Sequence, residues 1–159
     1  TKRIFSQTTG YVEIAGDRKV WDGALAGFDF SEGHLPRHTQ WNWAFALLPQ
    51  NAEVRALNFC TGNNLGGANE NATWSGSQFQ KTPAVRFEAI KDGSAKAWKI
   101  TSQEVDLRFD AVCEHTEKNN LIVAKSEFSQ VFGVFSGTLQ QNRRIENAPG
   151  ILEIQDTLW

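Results

Sequence analysis

The chain has little cysteine and no long apolar run, and each scarcity excludes a class of protein. Its 159 residues include two cysteines, Cys60 and Cys113, with neither a CxxC spacing nor a nearby pair of histidines. A disulfide scaffold and a zinc site are therefore not predicted, and both thiols are expected to be reduced and buried. No segment approaches the ~20 consecutive apolar residues of a membrane-spanning helix, so none is expected.

The chain also lacks a strong charge of either sign and any basic stripe. Its 16 Lys and Arg residues nearly balance its 18 Asp and Glu residues, which gives a formal net charge of −2. Without clustered cations there is little to neutralise nucleic-acid phosphates, so nucleic acid is not an expected partner. Residues 1–9 lack the apolar stretch of a secretory signal, and the cytoplasm is therefore the expected location.

Helical periodicity is absent as well. No stretch keeps the i, i+3, i+4, i+7 spacing of an amphipathic helix, whereas alternation with a period of two recurs along the chain. The clearest case runs from Val105 to Ala111, where apolar residues alternate with Asp and Arg as in a strand with one solvated face. Turns are predicted where Gly, Asn, Asp and Pro cluster, among them segments 117–120 and 147–150. The sequence therefore predicts an all-β protein.

About ten short strands fit into this length, and no helix is available to cover a sheet face. An antiparallel β-barrel is therefore the predicted architecture, and a two-sheet β-sandwich is the alternative. A single domain over residues 1–159 is expected, because the length suits one core and no linker composition is visible. The segment from Leu121 to Leu139 is too long for an unbent strand, so Gly133 and Gly137 are expected to mark a bulge or a barrel corner.

A predicted β-hairpin between Arg37 and Cys60, with its turn at 49–51, gives the strongest functional signal. Side chains alternate across a strand, so the hairpin presents two faces. The predicted core face collects Thr39, Trp41, Trp43, Phe45, Leu57 and Phe59. The other face collects amides, an imidazole and small groups without Lys or Glu: His38, Gln40, Asn42, Ala44, Ala46, Ala56, Asn58 and Cys60. This pattern is typical of a polar-lined cavity inside a β-barrel.

Four residues of the uncharged face are candidate ligand-binding residues: His38, Gln40, Asn42 and Asn58. Amides and imidazole donate and accept hydrogen bonds without adding a net charge, which suits directional binding in a pocket. His38 can in addition act as a general base near neutral pH. The alternative interpretation is a buried network in which these side chains satisfy one another and only fix the core.

Glu70 and Asn71 are two further candidates, because they follow a segment rich in Gly and Asn, residues 62–69. Free backbone amides in such a loop can form an anion-binding nest near a barrel mouth. The alternative is an ordinary turn with a surface carboxylate. No His, Asp or Glu residues show a recognised metal-ligand spacing, and no nucleotide or catalytic motif is present, so neither a metal nor a cofactor is expected.

Several blocks of sequence follow one another in a recognisable order. They include Trp21-Asp22, Gly27-Phe28-Asp29-Phe30, Thr39-Gln40-Trp41-Asn42-Trp43-Ala44, Glu70-Asn71-Ala72, Ala97-Trp98-Lys99-Ile100, Val105-Asp106-Leu107-Arg108-Phe109 and Gln130-Val131-Phe132-Gly133. Over residues 10–159 they resemble the C-terminal half of a bacterial family, the domain of unknown function numbered 2804, which implies a fold but no reaction. A more distant similarity to lipocalin-like proteins, the AttH group and carotenoid hydratases, implies a calycin-type barrel with an apolar-lined pocket.

Three functions fit these features. The first is binding of a small, partly apolar molecule in the barrel interior. The second is a barrel enzyme, similar to a hydratase or an isomerase, that acts on an apolar substrate. The third is a β-sandwich module that binds carbohydrate on exposed tryptophans, for which Trp21 and Trp74 are the candidates. The sequence names neither the ligand nor a reaction.

A symmetric homodimer is also expected. The resemblance to half of a longer protein implies an apolar face that a second domain would cover, and monomers rarely expose such a face. The predicted strand from Leu121 to Leu139 is the candidate interface, because it carries Phe128, Phe132 and Phe135.

Overall fold

The computed structural model describes residues 1–34, 36–48, 53–62, 69–76, 78–92, 95–121 and 123–158. The chain divides into two compact units, Thr1–Gly33 and His34–Trp159. Every described element longer than three residues is a β-strand, which confirms the all-β prediction. None of the described residues belongs to a helix long and apolar enough to cross a membrane. The single domain expected over the whole chain stays a prediction.

The first unit is a long two-stranded β-hairpin. Strand β1 (Lys2–Ile14) pairs antiparallel with strand β2 (Asp17–Asp29). The turn between them places Ala15 at a φ of 52° and Gly16 at a φ of 85°, the left-handed conformations that a two-residue type I′ turn requires. Most side chains of the hairpin are exposed, because a ribbon of two strands has no second layer of its own to bury them.

The second unit is one strongly curled antiparallel sheet of nine strands, a half-barrel. Its strands are β3 (His38–Leu47), β4 (Ala56–Gly62), β5 (Ala72–Ser75), β6 (Gln78–Lys81), β7 (Arg86–Asp92), β8 (Ala95–Thr101), β9 (Asp106–Asn120), β10 (Lys125–Leu139) and β11 (Arg143–Leu158). They lie side by side in the order β6-β5-β4-β3-β11-β10-β9-β8-β7. This order brings β11, the last strand, beside β3.

Two strands extend further than their composition predicts. The turn predicted at 117–120 lies inside β9, and the turn predicted at 147–150 lies inside β11. Strand β9 keeps pairing with β10 as far as Asn120, which lies opposite Lys125. Polar, turn-forming residues continue a strand when the neighbouring strand satisfies their backbone groups. The turn predicted at 49–51 falls outside the described residues.

Two glycines mark the places where β10 is irregular. The register between β10 and β9 shifts between Phe132 and Gly133, and the register between β10 and β11 shifts between Phe135 and Gly137. A Cβ at Gly133 would lie 2.2 Å from the carbonyl oxygen of Asp110, and Gly137 adopts a φ of 137°. Neither position accommodates a larger residue without strain. The predicted bulge or bend at these two glycines is confirmed.

One face of the nine-stranded sheet carries the core. Phe109 and Phe135 are fully buried, with ring centroids 4.5 Å apart, and Trp98 packs 6.1 Å from the Phe109 ring. Neighbouring strands add further buried apolar side chains to the same cluster: Ala44, Ala46, Leu57, Phe59, Ile100, Leu107, Val131 and Leu152. We call this side of the sheet the inner face and the opposite side the outer face.

The two cysteines lie in different environments. Cys60 is buried in β4, as predicted, but Cys113 is exposed on β9. The expectation of two buried thiols is therefore wrong for Cys113, because every residue of β9 from Val112 to Asn120 is exposed.

Candidate functional site

The register between β3 and β4 decides which predicted site residues share a face. Ala44 lies opposite Phe59, and Ala46 lies opposite Leu57. Residues that face each other on paired strands point to the same side of the sheet. Leu57 and Phe59 therefore belong with the small residues of β3 and not with its tryptophans. The predicted faces of β4 are wrong, since a shift of one residue reverses every side chain of a strand.

The tryptophan side of β3 is the outer face and not the core. Trp41, Trp43 and Phe45 are half-buried, and the rings of Trp43 and Phe45 stack at 5.7 Å. On the inner face β3 contributes Ala44 and Ala46, which are buried. Small side chains at these positions leave room for the large rings and leucines of neighbouring strands, as a closely packed core requires.

The inner face changes from apolar to polar along the paired strands β3 and β11. At the apolar end both partners are buried hydrophobic residues, and toward the start of β3 the pairs also contain amides, a carboxylate and an imidazole beside Ile154 and Leu158. From the core outward, the pairs are Ala44–Leu152, Asn42–Ile154, Gln40–Asp156 and His38–Leu158. We call the last three pairs the polar end of the inner face.

An open cleft of about 370 Å³ lies at the polar end of the inner face. Because side chains alternate, its walls come from residues that point inward, while the residues between them contribute backbone to its floor. The floor residues are Trp41, Gly62 and Gln155. The wall side chains are those of Gln40, Asn42, Thr61, Ile154 and Asp156. We call this depression the inner-face cleft.

Asp156 gives the inner-face cleft its charge. The Gln40 Nε2 donates to Asp156 Oδ2 at 3.0 Å, and the His38 Nε2 lies 2.8 Å from Asp156 Oδ1. These two contacts, that of Gln40 first, stabilise the ionised carboxylate and hold the pKa of Asp156 below its ordinary value of 3.8. The cleft therefore carries a negative charge at neutral pH, with the His38 ring held beside it.

Asn42 and Thr61 leave their hydrogen-bonding groups open to the inner-face cleft. They lie directly opposite each other on β3 and β4, and both are half-buried. Within the described part of the chain, neither side chain forms a hydrogen bond. An amide offers two donors and an acceptor, and a hydroxyl offers both functions. The cleft thus presents unpaired groups of both kinds.

Asn58 lies apart from the inner-face cleft, on the outer side of β4. It is 0% exposed, its Oδ1 accepts a hydrogen bond from Trp43 Nε1 at 2.7 Å, and its Nδ2 donates to the Glu70 carbonyl at 3.0 Å. An amide engaged on both sides in this way fixes the loop at Glu70 against β4. These contacts favour the buried-network interpretation of Asn58, and its role in ligand binding stays a prediction.

Asn71 ties the same loop to β4 from a second point. Its Oδ1 accepts a hydrogen bond from the Cys60 backbone N–H at 2.6 Å, and its carbonyl oxygen accepts one from Thr82 N at 2.9 Å. Its own N–H donates to Asn69 Oδ1 at 2.8 Å. Asn71 is buried, so these bonds replace contacts with water that the backbone would otherwise need.

The structure therefore separates the six predicted site residues into two groups. His38, Gln40 and Asn42 lie at the polar end of the inner face. Asn58, Glu70 and Asn71 lie together where the loop before β5 is anchored to β4, with Glu70 exposed. The segment 63–68, which includes most of the predicted anion-binding nest, falls outside the described residues.

Sequence reasoning missed three wall residues of the inner-face cleft: Thr61, Ile154 and Asp156. Ile154 and Asp156 alternate within a segment predicted as a strand, but local alternation does not say that this strand lies beside β3. Thr61 follows Cys60, where the predicted hairpin ended, whereas β4 continues to Gly62. Within the described residues, no group of three His, Cys, Asp or Glu side chains is arranged to hold a metal ion.

A second depression, of about 490 Å³, lies on the outer face of the same sheet. We call it the outer apolar groove, and its larger side chains are those of Phe45, Leu47, Val112, Phe132, Val134, Pro149 and Ile151. Phe132 is 44% exposed and Phe128 is half-buried, but Phe135 is fully buried on the inner face. Phe128 and Phe132 therefore lie on the outer face and Phe135 lies on the inner face, because an odd spacing on a strand reverses the side, and the dimer interface on this strand stays a prediction.

The tryptophans considered for carbohydrate binding lie in different units. Trp21 is exposed in the hairpin of the first unit. Trp74 is half-buried on β5, with its ring centroid 6.2 Å from that of the exposed Phe79 on β6. A joint platform of Trp21 and Trp74 stays a prediction.

The comparisons with known proteins give one match. No curated protein and no solved structure matches the chain, so the distant similarity to lipocalin-like proteins stays an expectation. A family model described as a domain of unknown function, DUF2804, matches residues 1–159 and thus includes every strand of both units. This match confirms the resemblance that the ordered sequence blocks indicate, and the chain belongs to the DUF2804 family.

Proposed function

We propose that the protein binds a small molecule in the inner-face cleft. The observation that carries the proposal is the pair Asn42 and Thr61, whose polar groups face the cleft without a partner in the described part of the chain. Half-buried donors and acceptors are costly to leave without a hydrogen bond, so water or a ligand supplies the missing partners. Binding sites combine such groups with apolar surface, which Ile154 supplies here.

The contrast with the apolar end of the same face supports this proposal. There Phe59 and Leu152 fill the space above Ala44, and all three residues are 0% exposed. At the polar end Thr61 takes the place that Phe59 has at the apolar end, and the cleft stays open. A concave, partly polar surface on a rigid sheet is a suitable scaffold for a site whose geometry is formed before the ligand arrives.

A barrel enzyme is the second candidate, favoured by the contact between His38 and Asp156. A carboxylate 2.8 Å from an imidazole nitrogen holds the ring in a fixed orientation. Such a pair can transfer a proton to or from a molecule held in the adjacent cleft. Mass spectrometry of gently purified protein separates the candidates. An enzyme yields chemically different bound molecules from the wild type and from His38→Gln, whereas a binding protein yields the same molecule from both.

A fragment screen monitored by backbone amide NMR tests the binding proposal directly. Fragments that bind are expected to shift the amide signals of Asn42, Thr61 and Gln155. The substitution Asn42→Leu should weaken these fragments by about tenfold or more, because it removes hydrogen bonds worth ~1.4 kcal/mol together. The control is Gln130→Leu, whose amide donates to Glu153 on the outer face at 2.7 Å. Fragments that bind only elsewhere, or equally to both variants, would contradict the proposal.

Self-association is a separate proposal, supported by the outer apolar groove. We propose that a second copy of the chain covers this groove in a symmetric dimer, with Phe132 at its centre, since interface cores are rich in aromatic residues. Light scattering at micromolar concentration should give the dimer mass, and Phe132→Glu should give the monomer mass while the fold is kept. A monomeric wild type at these concentrations would exclude the dimer.

We also propose that the protein is located in the cytoplasm. Cys113 is a free and exposed thiol, and such thiols persist in a reducing compartment. Fractionation of cells followed by alkylation should find the protein in the cytoplasm with Cys113 fully reactive. Recovery in an oxidised form from another compartment would overturn this expectation.

A further inference from the structure

We infer that the ligand of the inner-face cleft is a neutral, polyhydroxylated molecule such as a sugar or a polyol. The inference rests on the proposed binding function and adds the chemical class of the ligand. Three properties of the cleft carry it: the kinds of hydrogen-bonding group in the walls, the sign of the charge, and the even mixture of polar and apolar surface.

The hydrogen-bonding groups of the walls match hydroxyl groups. The Asn42 amide needs both acceptors and donors, and the Thr61 hydroxyl can use either. The Asp156 carboxylate can only accept hydrogen bonds. Gln40 and His38 each contact one of its oxygens. An ionised carboxylate has about four lone-pair sites, so Asp156 can accept further hydrogen bonds from a ligand. A hydroxyl group donates and accepts at the same time. A molecule with several neighbouring hydroxyls can therefore form hydrogen bonds with Asn42, Thr61 and Asp156 at the same time. A ligand with only donors or only acceptors cannot.

The negative charge of Asp156 makes the cleft unfavourable for anions. Asp156 is the charged side chain among the described wall residues, and no lysine or arginine belongs to them. Lys125 lies on a nearby strand and its positive charge acts on Asp156, but its Nζ lies 3.2 Å from the Glu127 carboxylate and Lys125 does not belong to the cleft walls. A phosphate or sulfate group in the cleft would face the Asp156 carboxylate with no Lys or Arg among the described wall residues to bind it, and this repulsion disfavours binding.

The balance of polar and apolar surface excludes a wholly apolar ligand. Such a ligand would displace water from Asn42 and Thr61 without replacing its hydrogen bonds, which is unfavourable for buried polar groups. Ile154 provides one apolar side chain in the wall, enough to contact the C–H groups of a single sugar ring. A larger apolar molecule would find more contact area in the outer apolar groove, whose lining is almost entirely hydrophobic.

The volume of the cleft limits the size of the ligand. About 370 Å³ corresponds to roughly a dozen water molecules at ~30 Å³ each. This space suits one or two sugar rings rather than a long polysaccharide chain. The open side of the cleft leaves part of such a ligand in contact with water, so binding is expected to be weak, with dissociation constants in roughly the millimolar range.

Amide NMR titrations with defined probes test the ligand class. The neutral probes are glucose, trehalose and sorbitol; glucose 6-phosphate is the anionic twin of glucose, decanoate is the apolar probe and benzylamine is the cationic one. At least one neutral probe should shift the amides of Asn42, Thr61 and Gln155 in a saturable way. Glucose 6-phosphate should bind at least ~10-fold more weakly than glucose if glucose is that probe.

Matched variants show whether the shifts arise in the cleft. Asn42→Leu and Thr61→Val each remove hydrogen-bonding groups while they keep the branching of the side chain, and each should weaken a neutral probe by about tenfold. Gln130→Leu, on the outer face, should leave binding unchanged. Sugar-induced shifts that persist at full strength in both cleft variants would overturn the inference.

The remaining outcomes distinguish this inference from the function on which it rests. If decanoate, benzylamine or glucose 6-phosphate shifts the cleft amides and no neutral probe does so, the cleft binds ligands but the polyhydroxylated class is wrong. If none of the six probes and no fragment shifts these amides, the proposed binding function itself fails, and the inference fails with it.

Discussion

The apolar end and the polar end of the inner face lie on the same pair of strands, β3 and β11, and carry different side chains. At the apolar end Ala44 is paired with Phe59 and Leu152, all fully buried. Only two residues earlier on β3, Asn42 is paired with Thr61 and Ile154, and the surface opens into a cleft. The backbone pairing continues without interruption through both ends, as far as His38 and Leu158.

This difference teaches that the sheet can separate stability from binding along a single strand. Backbone hydrogen bonds hold β3 beside β11 whichever side chains they carry. The side chains then decide whether a stretch of the inner face is filled by a packed core or left open. Substitutions at the apolar end should therefore reduce stability, and substitutions at the polar end should reduce binding. Substitutions at the two ends of the inner face test this separation.

The largest effect is expected at Phe135, at the apolar end. Phe135→Ala should lower the free energy of unfolding by about 3–5 kcal/mol, because it empties a closely packed site beside Phe109. The control is Phe132→Ala, the same change on the same strand but on the outer face, where the ring is 44% exposed. Guanidinium unfolding, compared at a protein concentration where light scattering shows every variant to be monomeric, should show a much smaller loss for the control. Equal losses would mean that the two faces of β10 are wrongly assigned.

A somewhat smaller loss is expected at Gly133. A Cβ there would lie 2.2 Å from the Asp110 carbonyl oxygen and 2.7 Å from the Phe109 ring, so Gly133→Ala should destabilise the protein by about 1–3 kcal/mol through overpacking. Gly33→Ala is the control, because a Cβ at Gly33 meets nothing within 4 Å. Thermal melts should separate the two variants, and similar melting temperatures would show that β10 moves to accept the methyl group at little cost.

Two asparagines give the sharpest comparison between a structural amide and a cleft amide. Asn58→Leu leaves the Trp43 indole N–H and the Glu70 carbonyl without their partner, which should cost about 1–3 kcal/mol of stability. Asn42→Leu breaks no hydrogen bond in the described part of the chain and should change stability by only about 0.5 kcal/mol. If Asn42→Leu proves as destabilising as Asn58→Leu, Asn42 is part of a structural network and the binding proposal loses its support.

The smallest effect concerns the titration of Asp156. Its pKa is lowered first by the Gln40 amide and then by His38, so Gln40→Leu should raise that pKa toward its ordinary value. Carboxyl NMR signals of the wild type and the variant, measured against pH, report this change. Because the pKa of Asp156 is lower in the folded protein than its ordinary value of 3.8, its ionised form stabilises the fold at pH values above 3.8. This stabilisation is lost as the pH falls through the lower pKa of the folded state. An unchanged Asp156 titration in Gln40→Leu would refute the assigned cause.

Local alternation predicts where several strands of this chain lie, although the strands of the first hairpin extend well beyond the predicted segments. The segments around Val105 to Ala111 and Ala97 to Thr101 show it clearly, and both are strands in the structure. Glycines at positions 133 and 137 mark irregularities because only glycine tolerates the close approach of a neighbouring backbone. Composition was a poorer guide to strand ends, since polar residues at 117–120 continue β9 when β10 pairs with them.

The candidate site was only partly predictable, for a physical reason. His38, Gln40 and Asn42 share one face because they alternate within a single strand, and that is a local property. Placing Asn58 on the same face requires a register between β3 and β4 that differs by one residue from the observed one. In the structure Asn58 lies opposite Phe45 and therefore on the outer face. No local rule specifies which residue of one strand lies opposite which residue of another when the connecting turn is not itself diagnostic.

The sequence by itself determined the all-β class, most strand positions, the two irregular glycines and the shared side of His38, Gln40 and Asn42. Only the tertiary structure decided that β11 lies beside β3, which brings Asp156 to His38 and Gln40, and that Thr61 faces Asn42. Alternation is set by the covalent geometry of each strand and is therefore visible locally. Strand order and register depend on how all nine strands bury their apolar side chains together, which no single segment encodes.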